Sequence, residues 1–384
     1  MECYLDNSAT TRCFDETIKA VEEEMKTYYG NPSSMHKKGF EAEKKIREVT
    51  KIIASTLKCE ESEIIYTSGG TEADNMALIG IARAYKRQGK HIITSSIEHA
   101  AILQTAEFLK EDGFEITYLP TDEKGIVDLE ELKKSVREDT ILVSIMGVNN
   151  EIGTVQPIEE ISKIVKEKNP SALFHVDAVQ AYGKIKLIPK KMGIDLMSVS
   201  GHKIHGPKGV GFLYVSYKTK IKPIIFGGGQ QKALRSGTEN VCGIMGLGAA
   251  VEKLFATFDD DTKRMRELRE YMIEGLLKID GVRINGGQGE EAAPHIVSAS
   301  ISGVRAEVLL HSLEDKGIYI SSGSACASNK PAVSETLKAI SLPKELLDST
   351  VRFSFSVFTS KEEIDYTLDC LKEIIEKLRM YVRR

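Results

Sequence analysis

Short apolar runs recur over residues 64–215, and several are separated by stretches whose apolar positions fall at helical spacing. The runs at 64–67, 91–94, 141–145, 173–176, 196–199 and 210–215 have the length of buried strands. The stretches 72–87, 100–111 and 158–168 have the length and spacing of helices. Strands alternating with helices predict βαβ units, a largely parallel sheet and helices on both of its faces. After about residue 255 the period changes. A long helix is expected near 260–279, short strands at 282–285 and 296–301, a helix at 305–316 and a strand at 318–320. A last helix over 361–381 sets Ile364, Leu368, Leu371, Ile375 and Leu378 in one packing stripe. The pattern therefore predicts a large α/β domain followed by a smaller α+β domain.

The length of 384 residues agrees with two or three domains, and 41% hydrophobic content spread along the chain excludes global disorder. With 52 basic and 56 acidic side chains the net charge is −4, which gives no electrostatic reason to bind nucleic acid or an anionic membrane. No apolar run reaches the roughly 18 residues of a membrane span. The opening Met1-Glu2-Cys3-Tyr4-Leu5-Asp6 carries acids where an export signal carries bases. A cytoplasmic protein is expected. Its six cysteines include no CxxC pair and are expected to stay reduced.

Four segments carry candidate chemistry. Thr67-Ser68-Gly69-Gly70-Thr71-Glu72 follows a strand and opens a helix, so its N–H groups could cradle one phosphate; an ordinary capped turn is the competing reading. It matches neither GxGxxG nor GxxxxGK[ST], so no dinucleotide or NTP site is indicated. Asp177, in Phe174-His175-Val176-Asp177, leaves a buried strand at the sheet edge where α/β proteins bind ligands; it could hold a protonated ring nitrogen or simply cap the next helix. Lys203, in Ser200-Gly201-His202-Lys203-Ile204-His205, sits in a polar loop suited to Schiff-base chemistry. His202 and His205 lack a clear carboxylate or thiol partner and do not define a metal site. Finally, Ser321-Ser322-Gly323-Ser324-Ala325-Cys326-Ala327-Ser328 cannot build a core. It reads as a mobile surface loop presenting a thiol as nucleophile or carrier. A phosphate cradle, a strand-end Asp and a downstream Lys together point to pyridoxal 5′-phosphate.

With these segments in place, the chain resembles the cysteine desulfurases of the NifS/IscS type, within the class-V aminotransferases. The likeness runs from Tyr4-Leu5-Asp6-Asn7-Ser8-Ala9-Thr10-Thr11 through Asn31-Pro32-Ser33-Ser34-Met35-His36, Glu98-His99-Ala100-Ala101, Asn149-Asn150-Glu151 and Arg235-Ser236-Gly237-Thr238-Glu239 to about Thr359. The resemblance implies a fold-type-I, aspartate-aminotransferase-like architecture and a homodimer. It implies a pyridoxal-phosphate domain over 15–255, and a small domain of 1–14 and 256–384 that carries the catalytic cysteine. It further implies that Lys203 binds the cofactor's aldehyde carbon, Asp177 pairs with the ring nitrogen and His99 stacks on the ring and shuttles a proton. Gln180 and Asn150 would lie near the ring hydroxyl and the substrate. Gly70, Thr71, Ser200 and His202 would bind phosphate, with Thr238 reaching across from the second subunit. Arg352 would clamp the carboxylate of L-cysteine. Cys326 would take the substrate sulfur as a persulfide, release L-alanine and pass the sulfur to an Fe–S scaffold or another acceptor, touching an Fe–S cluster only in passing. No resident metal, nucleic acid or membrane partner is implied. An aminotransferase, a selenocysteine lyase and a non-catalytic scaffold are the competing readings; an aminotransferase has no need of Cys326.

Overall fold

The computed structural model describes residues 1–322 and 334–382. The chain opens with β1 (Cys3–Tyr4). One sheet is then built from β2 (Ile64–Thr67), β3 (His91–Ser95), β4 (Glu115–Leu119), β5 (Thr140–Met146), β6 (Leu173–Asp177), β7 (Leu196–Ser200) and β8 (Gly211–Val215). Their spatial order is β2-β8-β7-β6-β5-β3-β4. The pairs from β7 across to β4 are parallel, whereas β8 runs antiparallel to both β7 and β2. Every strand except β4 is fully buried, as helix-covered sheets require. β4 is an edge strand with mixed burial, and its Glu-Ile-Thr-Tyr-Leu sequence contains no apolar run.

Helices Gly70–Tyr85, Ala100–Glu111 and Ile158–Lys168 stand where the spacing predicts, within two residues at each end. Helix Val241–Ala256 was not anticipated, because it is apolar on nearly every side. It packs on helices Asp15–Thr27 and Lys37–Leu57. A Cβ at Gly246 would come within 2.7 Å of Val21, and one at Gly248 within 2.5 Å of Val49, so the close packing needs residues without side chains there.

A second, antiparallel sheet has the order β12-β13-β10-β9, from β9 (Val282–Asn285), β10 (Ile296–Ile301), β12 (Ser321–Ser322) and β13 (Thr350–Ser354). Between β10 and β12 lies β11 (Ile318–Tyr319), which pairs in parallel with β1. This part has its own core of Met272, Val297, Leu313, Phe353 and Leu371, into which Cys3 and Leu5 also pack. The N-terminal strand thus belongs to the core built by the last third of the chain. Residues 5–11 then cross to the first sheet: Leu5 and Asn7 exchange backbone bonds with Ser354, and Thr11 bonds the carbonyl of His202. Among the described residues no single helix is long and apolar enough to cross a membrane.

Candidate active site

A cavity of about 420 Å³ opens at the C-terminal ends of β5, β6 and β7, bounded on its other side by Asp6, Ser8, Ala9, Ser321 and Arg352. Carboxyl ends of parallel strands are where such sheets bind ligands. Ten of the residues singled out in the sequence line it: Gly70, Thr71, His99, Asn150, Asp177, Gln180, Ser200, His202, Lys203 and Arg352. Thr238 is exposed and is not part of this lining. Cys326 lies outside the described residues; Ser321, five positions earlier, lines the cavity.

Lys203 ends a 3₁₀ turn (Gly201–Lys203) directly after β7, which brings its side chain to the cavity. Its Nζ donates to the carbonyls of Ser8 and, at 2.8 Å, Ala9. The Ser8 carbonyl also accepts from Gln180 Nε2 at 2.9 Å. The N-terminal segment is therefore a shelf of carbonyls under the lysine amine. This contribution had no legible signal beyond the motif itself, because backbone oxygens carry no residue identity.

Facing the lysine is a group of buried acids. Asp177 Oδ1 accepts from Val179 N at 2.9 Å. Burial raises its pKa, and the Val179 N–H, His99 and Lys203 partly offset that rise. Asp74 is driven well above the usual carboxylate range by burial and then by the adjacent Asp177 and Glu98. Its Oδ1 has no hydrogen-bond partner and stands 3.8 Å from His175 Nε2. Burial pushes Glu98 up to about 8 even though Ser95 and the Met146 N–H donate to it. His175, bonded to Ser144 and Ser198, is held neutral by burial, with its pKa pushed down to about 3. Crowded like charges in a dry site favour either a shared proton or a cationic guest. Asp74 and Glu98 were overlooked as site residues, since within a helix and a turn they resemble ordinary acidic positions.

The opposite end suits an anion. Helix Gly70–Tyr85 starts behind Gly69 with no side-chain cap, so its first N–H groups are left for a ligand. A Cβ on Gly70 would come within 2.6 Å of Val179 Cγ2, and one on Gly211 within 2.4 Å of the Val199 carbonyl and 2.9 Å of Gly69 Cα. Both positions keep the loop pressed against the strand ends. His202 bonds Thr10 Oγ1 at 3.2 Å, and its pKa is pushed down to about 4 by burial and by Lys203 and Lys208. His205 turns elsewhere, stacking on Phe14 at 4.4 Å and bonding the Arg12 carbonyl, so the two histidines do not converge. His99 caps helix Ala100–Glu111 by accepting the Ala101 N–H at Nδ1, which leaves Nε2 as the nitrogen bearing hydrogen when the ring is neutral.

Arg352 is buried on β13. One Nη donates to the Asn150 carbonyl at 2.7 Å and the other to Asp6 Oδ1 at 2.8 Å, while Nε has no partner. Asp6 was not anticipated in this role; it was legible only as part of the N-terminal motif.

A mostly parallel sheet with a lysine, a buried strand-end Asp and an uncapped helix start around one cavity defines a class of pyridoxal-phosphate-type folds. The chain belongs to the class-V aminotransferases, a family that uses pyridoxal phosphate, and within it to the cysteine desulfurases: the family model "Aminotransferase class-V" matches residues 3–367. The "Cysteine desulfurase IscS" of Dictyoglomus turgidum is 47% identical over 379 residues, covering 98% of this chain and 95% of that relative. That of Methanosarcina thermophila is 46% identical over 376 residues, covering 98% and 92%. Among solved structures, a NifS-like protein superposes with a TM-score of 0.93 at 39% identity, covering 98% of this chain and all of the other. A structure titled "SspA in complex with cysteine" superposes with a TM-score of 0.82 at 32% identity, covering 93% and 100%.

Proposed function

We propose that this chain is a pyridoxal-phosphate-dependent cysteine desulfurase, which converts L-cysteine to L-alanine and supplies the sulfur through a persulfide on Cys326. The observation that carries the reading is the meeting, in one cavity, of the Lys203 amine, the Asp177 carboxyl and an uncapped helix start. These residues fit the cofactor. The Gly70 helix start, Ser200 and His202 would hold its phosphate, Asp177 its ring nitrogen and Gln180 its ring hydroxyl, with His99 stacked on the ring. The crowded acids around Asp177 are a site for a protonated nitrogen. When bound, the cofactor supplies an electron sink that makes the substrate's α-hydrogen acidic and its carbon–sulfur bond labile.

The chain's own residues do the rest. Arg352 and Asn150 orient the α-carboxylate of L-cysteine. The Lys203 amine takes and relays the α-proton from its place over the Ser8 and Ala9 carbonyls. His99, with hydrogen on Nε2, would lie beside the leaving sulfur and manage its proton. The Cys326 thiolate attacks the substrate sulfur, forming one S–S bond as the C–S bond breaks. L-Alanine leaves once the carbon is protonated, and Cys326 holds the persulfide. Five residues of chain from Ser321 reach at most about 17 Å, enough to bring that thiol to the cavity mouth.

We further propose a homodimer in which the partner subunit's Thr238 completes the phosphate site, with an Fe–S scaffold or another sulfur-accepting protein as recipient. The separate core holding Cys3 and Leu5 supports the proposed division into 15–255 and 1–14 plus 256–384. The test is sulfide release from L-cysteine under reducing conditions. Wild-type protein loaded with cofactor should release sulfide, and Cys326→Ala should lose that activity while keeping the visible absorption of the bound cofactor. Full activity in Cys326→Ala refutes the persulfide route.

A further inference from the structure

Behind Gln180, on the side away from the cavity, lies a buried polar group with no part in the reaction sequence above. His295 immediately precedes β10; it is 1% exposed, and its carbonyl accepts the Phe355 N–H at 2.8 Å. Its Nε2 lies 3.3 Å from Gln180 Oε1. The hydrogen positions follow from elimination. The Ser8 carbonyl can only accept, so the Gln180 NH₂ must face it and the amide oxygen must face His295. That oxygen is also only an acceptor, so His295 Nε2 must carry the hydrogen. Nδ1 is then a lone pair, buried without a partner.

We propose that His295 is a positioning residue of the cavity, holding the Gln180 amide in the one orientation that offers the cofactor's ring oxygen a hydrogen-bond donor. Without the Nε2–H only the Ser8 carbonyl still distinguishes the two ends of the amide, so the donor is held less firmly toward the cofactor's ring oxygen. The arrangement requires a neutral ring. Burial, and then the cations Lys184, Arg352, Lys203 and Arg269, hold the His295 pKa well below its ordinary value. Asp6 and Glu270 sit on the two arginines rather than on the histidine. Lys184 Nζ is itself buried without a hydrogen-bond partner, and it follows Gly183, where a Cβ would lie 3.3 Å from Ile204 Cγ2. The inference rests on the reading of Gln180 as the ring-hydroxyl contact.

A donor beside a negatively charged ring oxygen stabilises the less protonated form of the bound cofactor. Its loss should raise the pH midpoint of the visible absorption band. One neutral hydrogen bond corresponds to a displacement of about half to one pH unit. Three cofactor-loaded proteins are titrated: wild type, His295→Met, which lacks the donor, and His295→Gln, whose amide nitrogen falls near the position of Nε2. Wild type and His295→Gln should agree within a few tenths of a unit, and His295→Met should titrate higher. His295→Met should add nothing in a Gln180→Leu background, because it acts through that amide. Identical midpoints in wild type and His295→Met, or an undiminished effect of His295→Met without Gln180, overturn the proposal. Nitrogen NMR of ¹⁵N-histidine-labelled wild type is a second readout that needs no variant to fold. The His295 ring should be neutral with its hydrogen on Nε2 from pH 6 to 9, and an Nδ1–H tautomer or a cation at that ring overturns the assignment. A wild type that takes up no cofactor and shows no band removes the cofactor reading, and this inference with it. A band with unchanged midpoints removes this inference alone.

Discussion

Replacing Asp6 with Asn should tighten the binding of small α-carboxylates in the cavity. In the structure Asp6 occupies one arm of the Arg352 guanidinium at 2.8 Å, and the two side chains are only 20% and 8% exposed. A substrate carboxylate taken by the same guanidinium would set its charge about 5 Å from that of Asp6, where an effective dielectric of about 20 gives a repulsion of about 3 kcal/mol. Asn keeps an oxygen for the Nη2–H and removes the charge. The backbone of residue 6 stays fixed by its bridge to Ser354. Partial screening brings the gain to about 1–3 kcal/mol, or roughly 5- to 150-fold in affinity. The assay is titration of the cofactor-loaded protein with L-alanine, which has the carboxylate but no sulfur to react, followed by absorption; KM for L-cysteine should fall alongside. Arg352→Lys, which keeps the charge but loses the fork, should weaken both. Unchanged or weaker L-alanine binding in Asp6→Asn, with fold and cofactor content intact, would refute the assignment of Arg352 to the substrate carboxylate.

Other consequences can be checked directly. Lys203→Ala should take up pyridoxal phosphate without developing the wild-type visible band, and release no sulfide; a normal band in that variant defeats the assignment of the lysine. Gly70→Ala forces a Cβ to 2.6 Å from Val179 Cγ2 and should cost about 1–3 kcal/mol of stability, together with weaker cofactor binding in an equilibrium titration. Gly211→Ala meets backbone rather than side chain, at 2.4 Å, and should lower the melting temperature more than Gly70→Ala does. Glu98, with a folded pKa of about 8 against about 4.3 unfolded, stabilises the fold fully at low pH and loses that contribution as pH rises through 8. The stability of Glu98→Gln relative to wild type in urea unfolding should therefore climb between pH 5 and 9, and a flat or falling difference would mean that this carboxyl ionises normally.

The sheet was legible where its strands are buried on both faces, since β2, β3 and β5 to β8 appear as apolar runs. β4 was not, because most of its side chains are partly in water, unlike those of the other edge strand β2, and it needs no such run. Helix Val241–Ala256 escaped for the opposite reason: wrapped by other helices, it has no polar face to set a period. Nine of the ten proposed site residues at the cavity end or follow strands of the mostly parallel sheet, whose ends and turns lie at one edge, a rule that works from sequence; Arg352 comes from β13 of the second sheet. The contributions of Asp6, the Ser8 carbonyl and His295 depend on pairings across 346, 195 and 115 residues, which local patterns do not encode.

The long span between Asp6 and Arg352 also orders events at the ribosome. At about 5–20 residues per second, the first residues to emerge wait roughly 17–70 s for β13 to be made. The central sheet can collapse well before then, with Gln180 and His202 already holding residues 8–11, but the bonds from Ser354 that fix residues 5–8 are missing until β13 is made. Nascent chains halted before residue 350 should therefore fold much of their mass and still fail to retain cofactor, so that loading is an event of the finished polypeptide.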